Sequence, residues 1–166
     1  QAQAWQQNTE AEWRMWCERK SGDGLELNNF YELQQIALKS WLMSGDCFAV
    51  IKRYDTDREN PYSLRIQLVE ADRVSTPADA AGGYTGNTQG KTKSGNRIFD
   101  GVEVDGNGRV VAYHVCNVYP NEITTERAKW TRVEVKGKRT GLPNIIHIMD
   151  AERPDQYRGI SQSCNT

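Results

Sequence analysis

The stretch Ser44-Gly45-Asp46-Cys47-Phe48-Ala49-Val50-Ile51-Lys52-Arg53-Tyr54 is where the chain changes its period. Before it, Phe30, Leu33, Ile36, Ala37, Ser40 and Trp41 recur at spacings of three and four, the stripe of a half-buried helix. After it, apolar and β-branched residues follow a strand pattern. Gly45 stands at the join, where a helix can close in the left-handed turn that suits glycine. Helix before and sheet after predicts an α+β fold with its helices segregated to the front.

Working toward the N-terminus, Asn28 or Asn29 starts the second helix, which runs to Ser44. The first helix holds Trp13, Trp16 and Cys17 on one face, with Thr9 and Glu12 placed as a capping box and Gly22 and Gly24 as its stop. Residues 1–45 are therefore expected to be helical. Toward the C-terminus, Ser63-Leu64-Arg65-Ile66-Gln67-Leu68 alternates cleanly. The polar link 55–61 before it is too short for a parallel crossover, so the pairing is antiparallel. Residues 75–97, with Gly82, Gly83, Gly86, Gly90 and Gly95, carry no apolar period and predict a flexible loop that a neighbour could order. The runs 98–104 and 109–119 flank Asp105-Gly106-Asn107-Gly108, a hairpin turn and not a calcium loop, which would need a distant Glu. Strands at 130–135 and 144–148 bring the expected count to about six, mostly antiparallel, over 46–161.

Bulk properties bound the function. The 166 residues suit one domain, and five Trp and seven Tyr argue against disorder. Twenty-one basic and 22 acidic residues leave a net charge of −1, so DNA binding by bulk electrostatics is not expected. Cys17, Cys47, Cys116 and Cys164 are scattered without a C-x-x-C pair, and with only His114 and His147 beside them they predict no metal site, no disulfide and no cofactor. Neither a leader nor a run of roughly 18 apolar residues predicts a membrane segment. The chain opens on Gln1, and 162–166 reads as a truncated or non-native tail.

Catalytic patterns are not expected either. Ser161, His147 and Asp150 are near one another in sequence, but no nucleophile elbow presents the serine. His147 is better read as a strand histidine donating a ring hydrogen bond to backbone. Gly90-Lys91-Thr92 imitates only the tail of a phosphate loop. Arg127, Lys129, Arg132, Lys136, Lys138 and Arg139 form a basic stretch around Trp130. On a strand Trp130, Arg132 and Glu134 share a face, and Glu134 weakens its positive field. Such a stretch suits DNA or an acidic partner, or is simply a solvated strand and turn, the reading we favour. A free-standing nucleic-acid-binding module using 127–139 is the alternative function.

The tail carries more. Asn144-Ile145-Ile146-His147-Ile148, Arg153-Pro154 and Gln156-Tyr157-Arg158-Gly159-Ile160-Ser161 resemble the end of the wing region in lambda-type phage portal proteins. Leu42 to Phe48, Gln67 to Val74, Phe99 to Asp105 and Gly108 to His114 resemble further landmarks of that family, in its order. Asp46 departs from the commoner Glu, and no apolar stem run follows Ser161. The resemblance implies a non-enzymatic wing fragment, 1–161, of a dodecameric ring at a virion vertex, without stem, clip or crown. It further implies that double-stranded DNA is packaged and ejected through the ring. Capsid shell, terminase and head-completion proteins would be the partners, with assembly in the host cytoplasm. Arg153, Gln156, Arg158 and Gly159 are the candidates for a subunit interface or a local turn-lock, since a guanidinium fork suits either.

Overall fold

Helix gives way to sheet at Gly45, as the change of period predicts. The computed structural model describes residues 2–80, 89–119, 122–123 and 125–162. Helix α2, Phe30–Ser44, opens on a capping box in which Glu32 N–H donates to the Asn29 side chain at 3.0 Å and Asn29 N–H donates to the Glu32 carboxylate at 2.7 Å. It closes at Gly45, whose backbone is left-handed at φ +88°. Helix α1, Ala2–Glu18, corrects the first expectation. It begins well before Thr9, because Ala and Gln are strong helix formers. Thr9 lies mid-helix, its hydroxyl donating to the Trp5 carbonyl at 2.9 Å, and Glu12 accepts from the Tyr62 hydroxyl. The helix stops at Glu18, ahead of the predicted glycines.

Eight strands follow among the described residues. They are β1 Asp46–Arg53, β2 Leu64–Glu70, β3 Gln89–Lys91, β4 Arg97–Phe99, β5 Val102–Val104, β6 Val110–Cys116, β7 Trp130–Glu134 and β8 Ile145–Met149. One antiparallel sheet has the order β2-β1-β8, the other β3-β4-β5-β6-β7. The fold is thus α+β, with two strands more than the sequence suggested. One came from the run 98–104, which is two strands and not one. Phe99 pairs with Val102 across Asp100 (φ 46°) and Gly101 (φ 80°), a two-residue turn that needs left-handed backbone at both positions. The other is β3, which lies inside the expected loop 75–97. Its middle residues 81–88, with Gly82, Gly83 and Gly86, are outside the described part, as is the tail 163–166.

The two sheets face each other across the core. Phe48, Val69 and Ile145 come from the three-stranded sheet, and Val102, Val104 and Tyr113 from the five-stranded one. The alternation of β1 turns Cys47 and Ala49 the other way, toward α2, where Leu33 and Ala37 are buried and Ser40 bonds the Cys47 thiol. Cys17, Cys47 and Cys116 are free buried thiols. Among the described residues no helix is long and apolar enough to cross a membrane, and no group of three metal-ligating side chains forms.

Candidate functional site

Two buried carboxylates organise the polar chemistry of the molecule. The first, Asp46, opens β1 directly after the glycine that ends α2. Arg158 binds it in a fork, Nε to Oδ2 at 2.7 Å and Nη2 to Oδ1 at 3.2 Å. The remaining guanidinium hydrogens reach the carbonyls of Ala71, Val74 and Asp100, each at 2.8 Å, and the Asp100 carboxylate at 2.9 Å. All five donors of the side chain are thereby used. Asp46 also accepts from Gly159 N–H at 2.9 Å and from His147 Nε2 at 3.1 Å. Burial pushes the Asp46 carboxyl up. The hydrogen bonds from His147 and Arg158, the guanidinium charge and Gly159 outweigh it and hold the group at about 2. At Asp100 burial wins over Arg158, and its carboxyl is raised.

Close approach of backbone completes this clamp. A Cβ on Gly159 would collide with the Gly45 carbonyl, so the exit turn can lie against the helix stop only without a side chain. His147 stacks on Phe48 with ring centroids 4.2 Å apart. Its bond goes to a carboxylate, correcting the backbone partner predicted for it, because β8 pairs with β1 and sets His147 opposite Phe48, next to Asp46. Ser161 has no part in that bond.

The second carboxylate, Glu103 on β5, lies on the face of the five-stranded sheet that points away from the core. Arg132 binds it in the same fork, at 2.7 Å and 3.0 Å. His114 Nε2 lies at 3.1 Å and Asn96 donates at 2.8 Å. Here too burial is overcome, by Arg132 first and then Asn96, and the carboxyl sits at about 2. Burial lowers the His114 value despite its acidic neighbour, leaving the ring neutral at pH 7. Above these groups a cleft of about 1050 Å³ opens between residues 77–80, 91–94 and 127–132.

The predicted site residues separate accordingly. Arg158 and Gly159 enter the Asp46 clamp, and Gln156 braces the same turn by donating to the Arg158 carbonyl at 2.9 Å. Arg153 is exposed and outside it. The basic stretch is divided. Arg132 is consumed by Glu103 and Glu134, and Lys138 pairs with Glu134 at 3.2 Å. Arg127 and Lys129 line the cleft, whereas Lys136 and Arg139 do not. Trp130, Arg132 and Glu134 share a face as predicted, Arg132 meeting Glu134 at 3.1 Å.

Sequence reasoning missed Asp46, Asp100, Glu103, Asn96 and His114 as partners, and Lys91 and Lys93 as cleft residues. No regular register discloses the pairing of Glu103 with His114. Val104 pairs with Val110 but a bulge shifts Glu103 onto Ala112, whereas a ladder extended evenly from the 105–108 turn would set Glu103 opposite Val111 and His114 on the other face. No local signal joins Arg158 to Asp46, 112 residues away.

The segments that resemble portal landmarks meet around one guanidinium. Asp46 lies in the 42–48 landmark, Ala71 and Val74 in 67–74 and Asp100 in 99–105, and Arg158 bonds all four. A family model described as "Phage portal protein, lambda family" matches residues 1–166. The chain belongs to the lambda family of phage portal proteins.

Proposed function

We propose that residues 1–161 form the wing of a portal subunit, a structural part of the head-tail connector ring through which double-stranded DNA is packaged and ejected. The family match over residues 1–166 carries this reading. Large apolar side chains left in solvent on and between the helices support it. Trp5 is 71% exposed, Met43 73% and Leu27 62%. A ring places different faces of neighbouring subunits in contact, and such side chains suit one of them. On this reading Arg158, Gln156 and Gly159 lock the exit turn, and Arg153 remains for a subunit contact. The ring is a dodecamer that docks capsid shell, terminase and head-completion proteins, and it assembles in the host cytoplasm without catalysing a reaction. In the 127–139 basic stretch Arg132 and Lys138 are taken up by Glu103 and Glu134, which weighs against the nucleic-acid module.

The test is electron microscopy of the product of the complete natural gene, with complementation of a packaging-defective phage. Closed rings carrying this domain on their outer rim, together with restored packaging, are the expected result. A gene product that stays monomeric at high concentration and restores no packaging would overturn the proposal.

A further inference from the structure

The outer face of the five-stranded sheet holds a second feature, apart from the Asp46 clamp. Its cleft has a volume at the upper end of those that hold small ligands, with room for a short extended segment. Four exposed cations stand around it: Lys91 and Lys93 on one side, Arg127 and Lys129 on the other. None of the four forms a salt bridge among the described residues. The undescribed residues carry no Asp or Glu, so they supply no side-chain carboxylate to the rim. The one acidic side chain on the rim is Asp79.

The floor differs from the rim. Glu103 is spent on Arg132, so the floor presents no free negative charge. Around that pair lie Ile98, Ala128 and Trp130, whose indole N–H is turned to the Ser75 hydroxyl at 3.0 Å. Cations around an apolar floor fit a ligand with carboxylates and an apolar side chain close together. Duplex DNA is a worse match. Its phosphates lie on a convex rod, and a protein meets them with a strip of cations, whereas these ring a concavity.

We propose that this cleft binds an acidic peptide segment of a partner protein, with Lys91, Lys93, Arg127 and Lys129 pairing with its carboxylates and the floor taking an apolar side chain. The proposal is independent of the portal reading, because it rests on the cleft alone.

Fluorescence anisotropy of the 166-residue chain with a short labelled peptide alternating Glu and Leu tests it. Binding is expected, weakening as salt is added, because rim charges are screened. The double variants Lys91→Glu/Lys93→Glu and Arg127→Glu/Lys129→Glu should each weaken it about tenfold or more. Lys136→Glu/Arg139→Glu removes the same number of cations outside the cleft and should change it by less than about twofold. All these side chains are exposed, and unchanged thermal midpoints will show that the fold is retained. A peptide with Ser for Leu should also bind less well, which probes the floor without altering the protein. No binding of the Glu-Leu peptide would overturn the proposal. So would equal binding of a neutral peptide with Gln in place of every Glu, or equal loss in the Lys136→Glu/Arg139→Glu variant. A duplex oligonucleotide that displaces the peptide and binds more tightly would overturn it in favour of a nucleic-acid site.

Discussion

Asp46 and Glu103 are held in nearly the same way, yet they serve different parts of the molecule. Each carboxylate is 1% exposed, takes an arginine fork with Nε at 2.7 Å and a histidine Nε2 at 3.1 Å, and accepts one N–H from a further residue. For Asp46 that last donor is the backbone of Gly159, and for Glu103 it is the side chain of Asn96. The arginines differ more. Arg158 is 18% exposed and ties together segments that are far apart in sequence, touching Ala71, Val74 and Asp100 as well. Arg132 is 40% exposed, reaches across the β5-β6-β7 strands and borders an open cleft. One constellation therefore closes the structure and the other finishes a surface.

The largest contrast should come from removing each arginine. Arg158→Ala strands Asp46 in the interior and frees three backbone carbonyls, and a cost of about 3–5 kcal/mol is expected. That is a large part of the stability of a domain this size. Arg158→Lys keeps the charge but loses the fork, and should recover only part of it. Arg132→Ala leaves Glu103 with His114 and Asn96 beside a wet cleft, so about 1–3 kcal/mol is expected. Urea unfolding of the three variants measures the order. Equal losses for Arg158→Ala and Arg132→Ala would dissolve the distinction between clamp and surface.

Acid should act on both sites. The folded Asp46 and Glu103 groups sit at about 2, below their ordinary 3.8 and 4.5. A carboxyl lowered on folding contributes stability that is full above its unfolded value and is lost as pH falls through its folded value. Each contributes on the order of 2 kcal/mol above about pH 4.5, discounted at Glu103 for its half-exposed partner. Stability should therefore fall between about pH 4.5 and 2. Asp46→Asn should be less stable at neutral pH but flatter across that window, and an unchanged slope would show that the clamp does not bear the titration.

The two sites also differ in how far the sequence discloses them. The α2 helix, its glycine stop, the β1-β2 pairing and the 105–108 hairpin follow from period and turn chemistry, which act over a few residues. So does the shared face of Trp130, Arg132 and Glu134. Thr9 misled because a threonine three residues before a glutamate is a cap only if the residues ahead of it are not already helical. Asp100-Gly101 was passed over because two short β runs on either side of a tight turn look like one longer strand. The partners of Glu103 lie on nearby strands, but a bulge between Glu103 and Val104 shifts the ladder by one residue, and nothing in the turn sequence announces it. Arg158 was visible as a residue of interest, but its role depends on the packing of two sheets, which no local spacing encodes.

The smallest expected effect separates the two histidines. His114 is pressed below its ordinary 6.5 by burial, even beside Glu103, so the folded chain holds its ring neutral while the unfolded chain protonates it. A group lowered in this way supports the fold above its unfolded value and withdraws that support as pH falls toward its folded one. Stability should accordingly begin to decline below about pH 6.5, before the carboxylates titrate. His114→Gln, which can still donate to Glu103, should remove this early decline while costing little at pH 7. His147→Gln keeps a donor for Asp46 but gives up the stacking on Phe48, and should cost about 1 kcal/mol at pH 7. If His114→Gln left the early decline in place, the acid response would not belong to the floor of the cleft. The two carboxylate sites would then differ in position alone.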